Sequence, residues 1–325
     1  MSFNGAEEQA DGDIRAGVVS CARCYEYQIV EGILDLRVEL DDVVANEIAG
    51  WDEMYAHKPE EQRPEWLLAL PYLTPELESN EIFCQIWKRN GDIFFQAVDA
   101  LDLRDCARED RKGKKVLEIG ASTCWASAYF ASLGYDAVAL DITRKKYYGL
   151  EAGGIWMEAQ GSYFERVLCD MHHLPFIPST FDIVFLCNTA HHSSNIRRLF
   201  AEAARVLKPD GFVLDIIEPL CRLFKRDNVC NREVDLGINE HIYSVFEYTH
   251  AIKQAGLKHE LFLERHLGSA KDGLAEYKRE KANSPNPIKR FIKGFIYWRF
   301  IPQRVRIFCS MFTDQLSTFN VIARK

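Results

Sequence analysis

Short apolar runs alternate with helix-patterned segments between residues 113 and 220, which predicts an α/β fold. The expected form is a Rossmann-like, seven-stranded, mostly parallel sheet with helices on both faces, plus a small N-terminal hairpin and a helical cap. Two further features agree with it. The apolar runs end in acidic or small residues, and the segments between them close on Gly or Pro stop signals.

In chain order, residues 1–16 are polar and acidic, without apolar periodicity or a signal-peptide layout, and are expected to be a disordered lead. Residues 17–38 alternate apolar and polar side chains around Glu31-Gly32, which predicts a hairpin. From 39 to 112 the spacing turns helical. Ile82, Phe83, Ile86, Trp87, Ile93, Phe94, Ala97, Val98 and Leu101 fall on one stripe, as a buried helix face requires. The core, 113–325, opens with strands at 115–120, 136–141, 165–170, 181–188 and 211–219. A helix at 195–207 stops at Lys208-Pro209-Asp210-Gly211. Two closing strands, 257–266 and 317–325, bracket a basic, aromatic insertion at about 268–316.

Composition limits the partners. With 48 acidic against 40 basic residues the net charge is −8, which repels a phosphate backbone and argues against nucleic acid. The ten cysteines scatter through apparent strands and helices, as free thiols of a reducing compartment do. No run reaches about 18 apolar residues. A cytoplasmic protein is expected.

Acidic and small residues at successive strand ends carry the functional argument. Strand one runs into Glu118-Ile119-Gly120-Ala121-Ser122-Thr123-Cys124, where small side chains let the backbone turn close to a ligand and the next helix offers its amides. Strand two ends in Asp141, at the usual distance for an acid that accepts from ribose hydroxyls. Strand three ends in Asp170-Met171, a carboxylate for an adenine amino group and a side chain to pack on its ring. The plain alternative is that Glu118 caps a helix while Asp141 and Asp170 solvate strand ends. A nicotinamide-binding fold shares the first two features.

The runs VLEIGASTCWAS, ALDIT, VLCDMHHLPFIPSTFDIVFLCNTAHHSS and EAARVLKPDGFVLDIIEP resemble the class I S-adenosylmethionine (SAM)-dependent methyltransferases, closest to the ubiquinone- and menaquinone-type branch. The resemblance covers residues 113–220, and more loosely the remainder to 325. It implies seven strands, the last antiparallel, with SAM as cofactor and a small-molecule acceptor such as a sugar, natural-product or lipid-linked precursor. It places Glu118, Gly120, Ala121 and Ser122 at the methionine moiety, Asp141 with Ile142 at the ribose, and Asp170 and Met171 at the adenine. Asn188 begins the loop facing the methyl group. The family's second and third glycines are replaced here by Ser122 and Cys124, which motivates the alternative of a non-catalytic SAM-fold sensor or scaffold.

For the chemistry, histidine suits a general base. His172 and His173 follow strand three, and His191 and His192 follow strand four, where the family often has a structural histidine. Glu240 and His241 lie where the family places acceptor-facing residues. Capping, with Asn239 or with Ser244 and Glu247, is an equal reading of that stretch. No metal is expected, because no H-x-x-x-H or equivalent spacing occurs.

At the ends, Cys21-Ala22-Arg23-Cys24 resembles the second half of a zinc-ribbon segment lacking its first ligand pair, a metal-free remnant. Residues 285–312 interleave arginines and lysines with aromatics. Such a helix can lie peripherally on an anionic membrane, act as a lid, or pack with snorkelling arginines; the last is preferred.

Overall fold

The computed structural model describes residues 2–8, 14–21, 25–38, 40–56, 63–105, 108–221, 232–262 and 318–325, with positions 287, 305, 307 and 308; for 2–8 it describes the backbone alone. Cys24 of the Cys-x-x-Cys pair lies outside these residues. So does the insertion at 268–316, with its basic aromatic stretch 285–312, apart from those four positions.

The strands are β1 (Ser2–Glu8), β2 (Ile14–Ser20), β3 (Glu26–Val30), β4 (Ile33–Asp35), β5 (Lys115–Ile119), β6 (Asp136–Asp141), β7 (Glu165–Leu168), β8 (Phe181–Cys187), β9 (Leu207–Pro219), β10 (Lys258–Phe262) and β11 (Thr318–Arg324). They form one sheet, ordered β1-β2-β3-β4-β7-β6-β5-β8-β9-β11-β10. From β7 to β10 these are seven strands, with β11 antiparallel to both neighbours. The expected seven are therefore one end of an eleven-stranded sheet, with β10 at its edge and β1–β4 extending the other side. The expected hairpin turns at Glu31-Gly32 between β3 and β4, and β4 joins the core by pairing parallel to β7.

The disordered lead expected at 1–16 is corrected. β1 pairs antiparallel with β2 across most of that segment. Edge strands draw their order from ladder hydrogen bonds to a neighbour, so polar residues without apolar periodicity can still be strand.

The helices are α1 (Asp42–Ala56), α2 (Pro64–Leu68), α3 (Glu81–Ala100), α4 (Arg108–Arg111), α5 (Trp125–Ser132), α6 (Ala152–Gln160), α7 (Ile196–Val206), α8 (Arg232–Asp235) and α9 (Val245–Gln254). Alternating residues of β8 feed two cores. Ile183 and Phe185 meet Phe94, Trp125 and Phe130 on one face, and Val184 and Leu186 meet Leu199, Phe200 and Tyr248 on the other. Each buried side chain of this size contributes about 1.5–3 kcal/mol. The α3 stripe holds for Ile93, Phe94, Ala97 and Val98, but Ile82 stays 71% exposed and Ile86 sits at a cavity rim. Asn195 caps α7 by accepting from Arg198 N–H, and Ser244 with Glu247 makes the capping box of α9.

Candidate active site

Parallel strands bring their carboxyl ends to one edge, and strand order reverses between β5 and β8, which opens a crevice there. A cavity of about 310 Å³ fills it. The turns after β5, β6, β7 and β8 supply one wall, and Trp51 and Tyr55 of α1, Trp66 of α2 and Trp87 of α3 cover it. Of the residues expected at a cofactor, Glu118, Gly120, Ala121, Ser122, Asp141, Ile142, Met171 and Asn188 line the cavity.

Backbone bonds fix the turn after β5. Gly120 and Ala121 N–H donate to Leu140 O at 2.8 and 3.0 Å, and Ser122 N–H donates to Asp141 Oδ2 at 2.7 Å. The other oxygen of Asp141 accepts from Thr143 N–H and Oγ1 at 2.8 and 2.7 Å. Gly120 has φ +70°, and a Cβ there would stand 2.3 Å from Thr189 Cγ2, so no other residue fits. Ser122 and Cys124 hold φ of 42° and 59°, the left-handed region natural to the glycines they replace. That costs about 1–2 kcal/mol per residue. The missing glycines strain the turn without reshaping it.

Glu118 both caps a helix and lines the cavity. Its Oε2 accepts from Ser127 N–H at 2.7 Å and Ser127 Oγ at 2.5 Å, in the first turn of α5, whose N-cap residue Cys124 makes no side-chain capping bond. Asp170 faces elsewhere. It lies beyond the end of β7, not in it, and its Oδ1 accepts from His172 N–H and Nδ1 at 3.0 and 2.7 Å. Burial opposes its ionisation, but these bonds prevail and hold it down to about 2. His172 Nε2 then accepts from the fully buried Ser193 Oγ at 2.7 Å, so His172 ties the two turns together. His173 is exposed.

His192 lines a second side of the cavity, with His191 buried behind it. A 3-10 turn, Ala190–His192, presents its amides to Glu218. Thr189 and Ala190 N–H donate to Oε1, both at 2.9 Å, while His191 Nδ1 and Tyr248 OH reach Oε2 at 3.0 and 2.6 Å. Burial opposes the charge on Glu218, yet His191 and Tyr248 keep it low, at about 2. Burial likewise opposes protonation of His191, but the Glu218 carboxylate, then Glu240, raises its pKa. His192 donates Nδ1–H to Asn239 O at 3.0 Å, and burial, then the His191 charge, pushes its pKa down to about 3. Glu240, held up to about 8 by burial and Glu233, approaches both rings. His241 is exposed and stacks on Tyr243, outside the cavity lining. Ile217, which precedes Glu218, adopts φ 67°, a rare conformation for a β-branched residue that costs about 1–3 kcal/mol. Its N–H donates to Asn320 Oδ1 at 2.9 Å, which fixes the bulge aiming Glu218.

Sequence reasoning gave no role to Glu47, Glu218 or Tyr248, while Trp51 and Tyr55 fall in the aromatic segment 51–101 expected as the cap. Glu47 had a legible signal. It is an acid inside the buried stripe Val44, Glu47, Gly50, Met54 of α1. Burial pushes its carboxyl up to about 8.

Residues 117–214, from β5 into β9, match the family described as a methyltransferase domain. A curated relative, the sterol 24-C-methyltransferase ERG6B of Gibberella zeae, is 27% identical over 176 residues, 51% of this chain and 45% of that protein. The uncharacterized methyltransferase YcgJ of Bacillus subtilis is 30% identical over 126 residues, 38% of this chain and 47% of that protein. The chain thus spans about half the length of the curated relatives it matches. The solved YcgJ structure aligns with a TM-score of 0.42 at 17% identity, over 71% of this chain and 98% of that one. No helix among the described residues is long and apolar enough to cross a membrane.

Proposed function

We propose that the chain is a SAM-dependent methyltransferase acting on a small molecule with an apolar body. The charge of the cavity carries this reading. Glu47, Glu118, Asp141 and Glu233 line it, and among the described lining residues there is no Lys or Arg. SAM brings a sulfonium and an ammonium group to such walls, whereas a nicotinamide dinucleotide brings a pyrophosphate that they repel. Burial pushes Glu118 and Glu47 up to about 8 and raises Asp141. A cationic ligand restores their ionisation.

The methionine moiety lies along the Glu118–Ser122 turn, the ribose on Asp141 beside Ile142, and the adenine on Met171. Asp170 can offer the adenine amino group Oδ2, the oxygen that His173 and not His172 occupies. Methyl transfer is an in-line displacement, so the protein must hold the nucleophile about 3–3.5 Å from the methyl carbon. Asn188 and His192 receive the acceptor, with Glu240 and the charged His191 behind them. With its pKa of about 3, His192 acts on the nucleophile by holding and orienting it, not as a strong base. The cover of Trp51, Tyr55, Trp66 and Trp87 excludes water and takes an apolar body, which favours a natural-product or lipid-like acceptor over a sugar.

Thermal shift tests the cofactor. At a hundredfold its Kd, SAM or S-adenosylhomocysteine (SAH) adds ~2.7 kcal/mol, enough to raise Tm by several degrees, and NAD(H) is expected to give no shift. A shift with NAD(H) alone would overturn the reading.

A further inference from the structure

We infer that His191, His192 and Glu240 bind a divalent first-row transition-metal ion at the acceptor end of the cavity. His191 Nε2 and His192 Nε2 lie 3.8 and 3.9 Å from Glu240 Oε1, and the three ligand atoms all fall within 4.8 Å of one another. These separations are too long for hydrogen bonds. Neither Nε2 has a close hydrogen-bond partner on Glu240 or any other described residue; the short contacts of both rings are made through Nδ1. The two distances to Glu240 are close to what a shared ion imposes, since bonds of about 2.0–2.2 Å set tetrahedral ligand atoms roughly 3.4 Å apart. Side-chain adjustments on the order of half an ångström to one ångström close the difference.

The groups behind the ligands match those behind metal-binding histidines, which give their other ring N–H to a carboxylate or a carbonyl. His191 gives Nδ1–H to Glu218, and His192 gives Nδ1–H to the Asn239 carbonyl. Both bonds leave Nε2 as the ligating atom. Glu218 is itself fixed by backbone amides and Tyr248, so the first ring cannot swing. An ion arriving at His191 displaces the Nε2 proton to solvent.

Two imidazoles and one carboxylate suit Zn²⁺, Mn²⁺ or Fe²⁺ over Mg²⁺ and Ca²⁺, which prefer all-oxygen sites. Three protein ligands leave a coordination position open, and His192 lines the cavity, so that position faces the acceptor space. An acceptor hydroxyl bound there would be made more acidic, the function that His192 alone performs poorly. This role toward the acceptor rests on the methyltransferase reading; binding of the ion does not. The ligands come from a turn and a loop far apart in sequence, which is why a search for metal-ligand spacing does not find them.

The test is calorimetric titration of the chelator-stripped full chain with ZnCl₂, MnCl₂ and MgCl₂, with visible absorption on adding CoCl₂. Saturable one-to-one binding of Zn²⁺ and Mn²⁺ is expected, about tenfold or more tighter than Mg²⁺, with a Co²⁺ ligand-field band. Glu240→Gln, which keeps the side-chain shape, and His192→Ala should each weaken Zn²⁺ about tenfold or more and abolish that band. Wild-type Zn²⁺ affinity in Glu240→Gln, or Mg²⁺ bound as tightly as Zn²⁺, would overturn the site. The SAH thermal shift is read on the same samples. An intact shift without metal binding removes the metal site alone, and metal binding without a shift removes the methyltransferase reading alone.

Discussion

The two walls of the cavity are made by different means. The cofactor wall is backbone held by backbone. Successive strand ends place Gly120, Asp141, Met171 and Asn188 side by side, and main-chain bonds to Leu140 and the Asp141 carboxylate fix the turn. The wall proposed to face the acceptor adds a network of buried side chains to its backbone bonds. Glu47 comes from α1, His191 and His192 from the turn after β8, Glu218 from β9 and Glu240 from a loop before α9, all tied through one buried network. A wall of the first kind tolerates changes of side chain and fails when its backbone is forced. In a wall of the second kind, single side chains set charge and chemistry while the fold stays put.

The contrast can be broken first at Gly120. Gly120→Ala must move Thr189 and leave the left-handed conformation it now holds, a loss of about 2–4 kcal/mol that thermal unfolding reads as a Tm lower by several degrees. An unchanged Tm would mean that the turn is not rigid.

Asp141→Ala removes the carboxylate that anchors Ser122 and that is proposed to meet the ribose. SAH affinity should fall by about 2–3 kcal/mol, roughly 30- to 150-fold by calorimetry. His192→Ala, on the other wall, should stay within about threefold of wild type. Equal losses in both would erase the distinction between the walls.

The third test concerns charge. The folded-state pKa of Glu47, about 8, lies above that of an unfolded glutamate. The stability it contributes is therefore present below about pH 4.5 and is lost as pH rises through about 8. Glu47→Gln, which cannot ionise, should flatten the decline of Tm between pH 5 and 8 and make the protein more stable than wild type at pH 8. Parallel Tm–pH curves for the two would show that Glu47 is not buried as described.

The smallest effect is expected at Ser122. Ser122→Gly relieves a left-handed serine, so SAH affinity should be unchanged or up to about threefold tighter. A large loss would mean that the hydroxyl itself contacts the cofactor.

The same contrast explains what could be read from the sequence. Periodicity located the seven strands from β5 to β11, most of them short apolar runs closed by a turn signal, although β10 is polar and at the sheet edge. The cofactor turns follow because they sit at the ends of those runs. β1 escaped notice because its order comes from pairing with β2 and not from an apolar face of its own. His191, His192 and Glu240 were each visible as candidates, but their convergence depends on how the 232–244 segment returns to the sheet, as His241 N–H does when it donates to His191 O. No local pattern encodes that return. Glu218 looked like the end of a strand, and only the Ile217 bulge turns it inward.

The most direct test of a cavity built for a cationic cofactor is calorimetric titration of the wild type with SAM and with NADH at pH 6 and pH 8. Glu118 and Glu47 must lose their raised protons to meet a cation, so SAM should bind several-fold tighter at pH 8 and release protons on binding. NADH should not bind at either pH. Binding of NADH, or a SAM affinity that does not change with pH, would contradict the assignment.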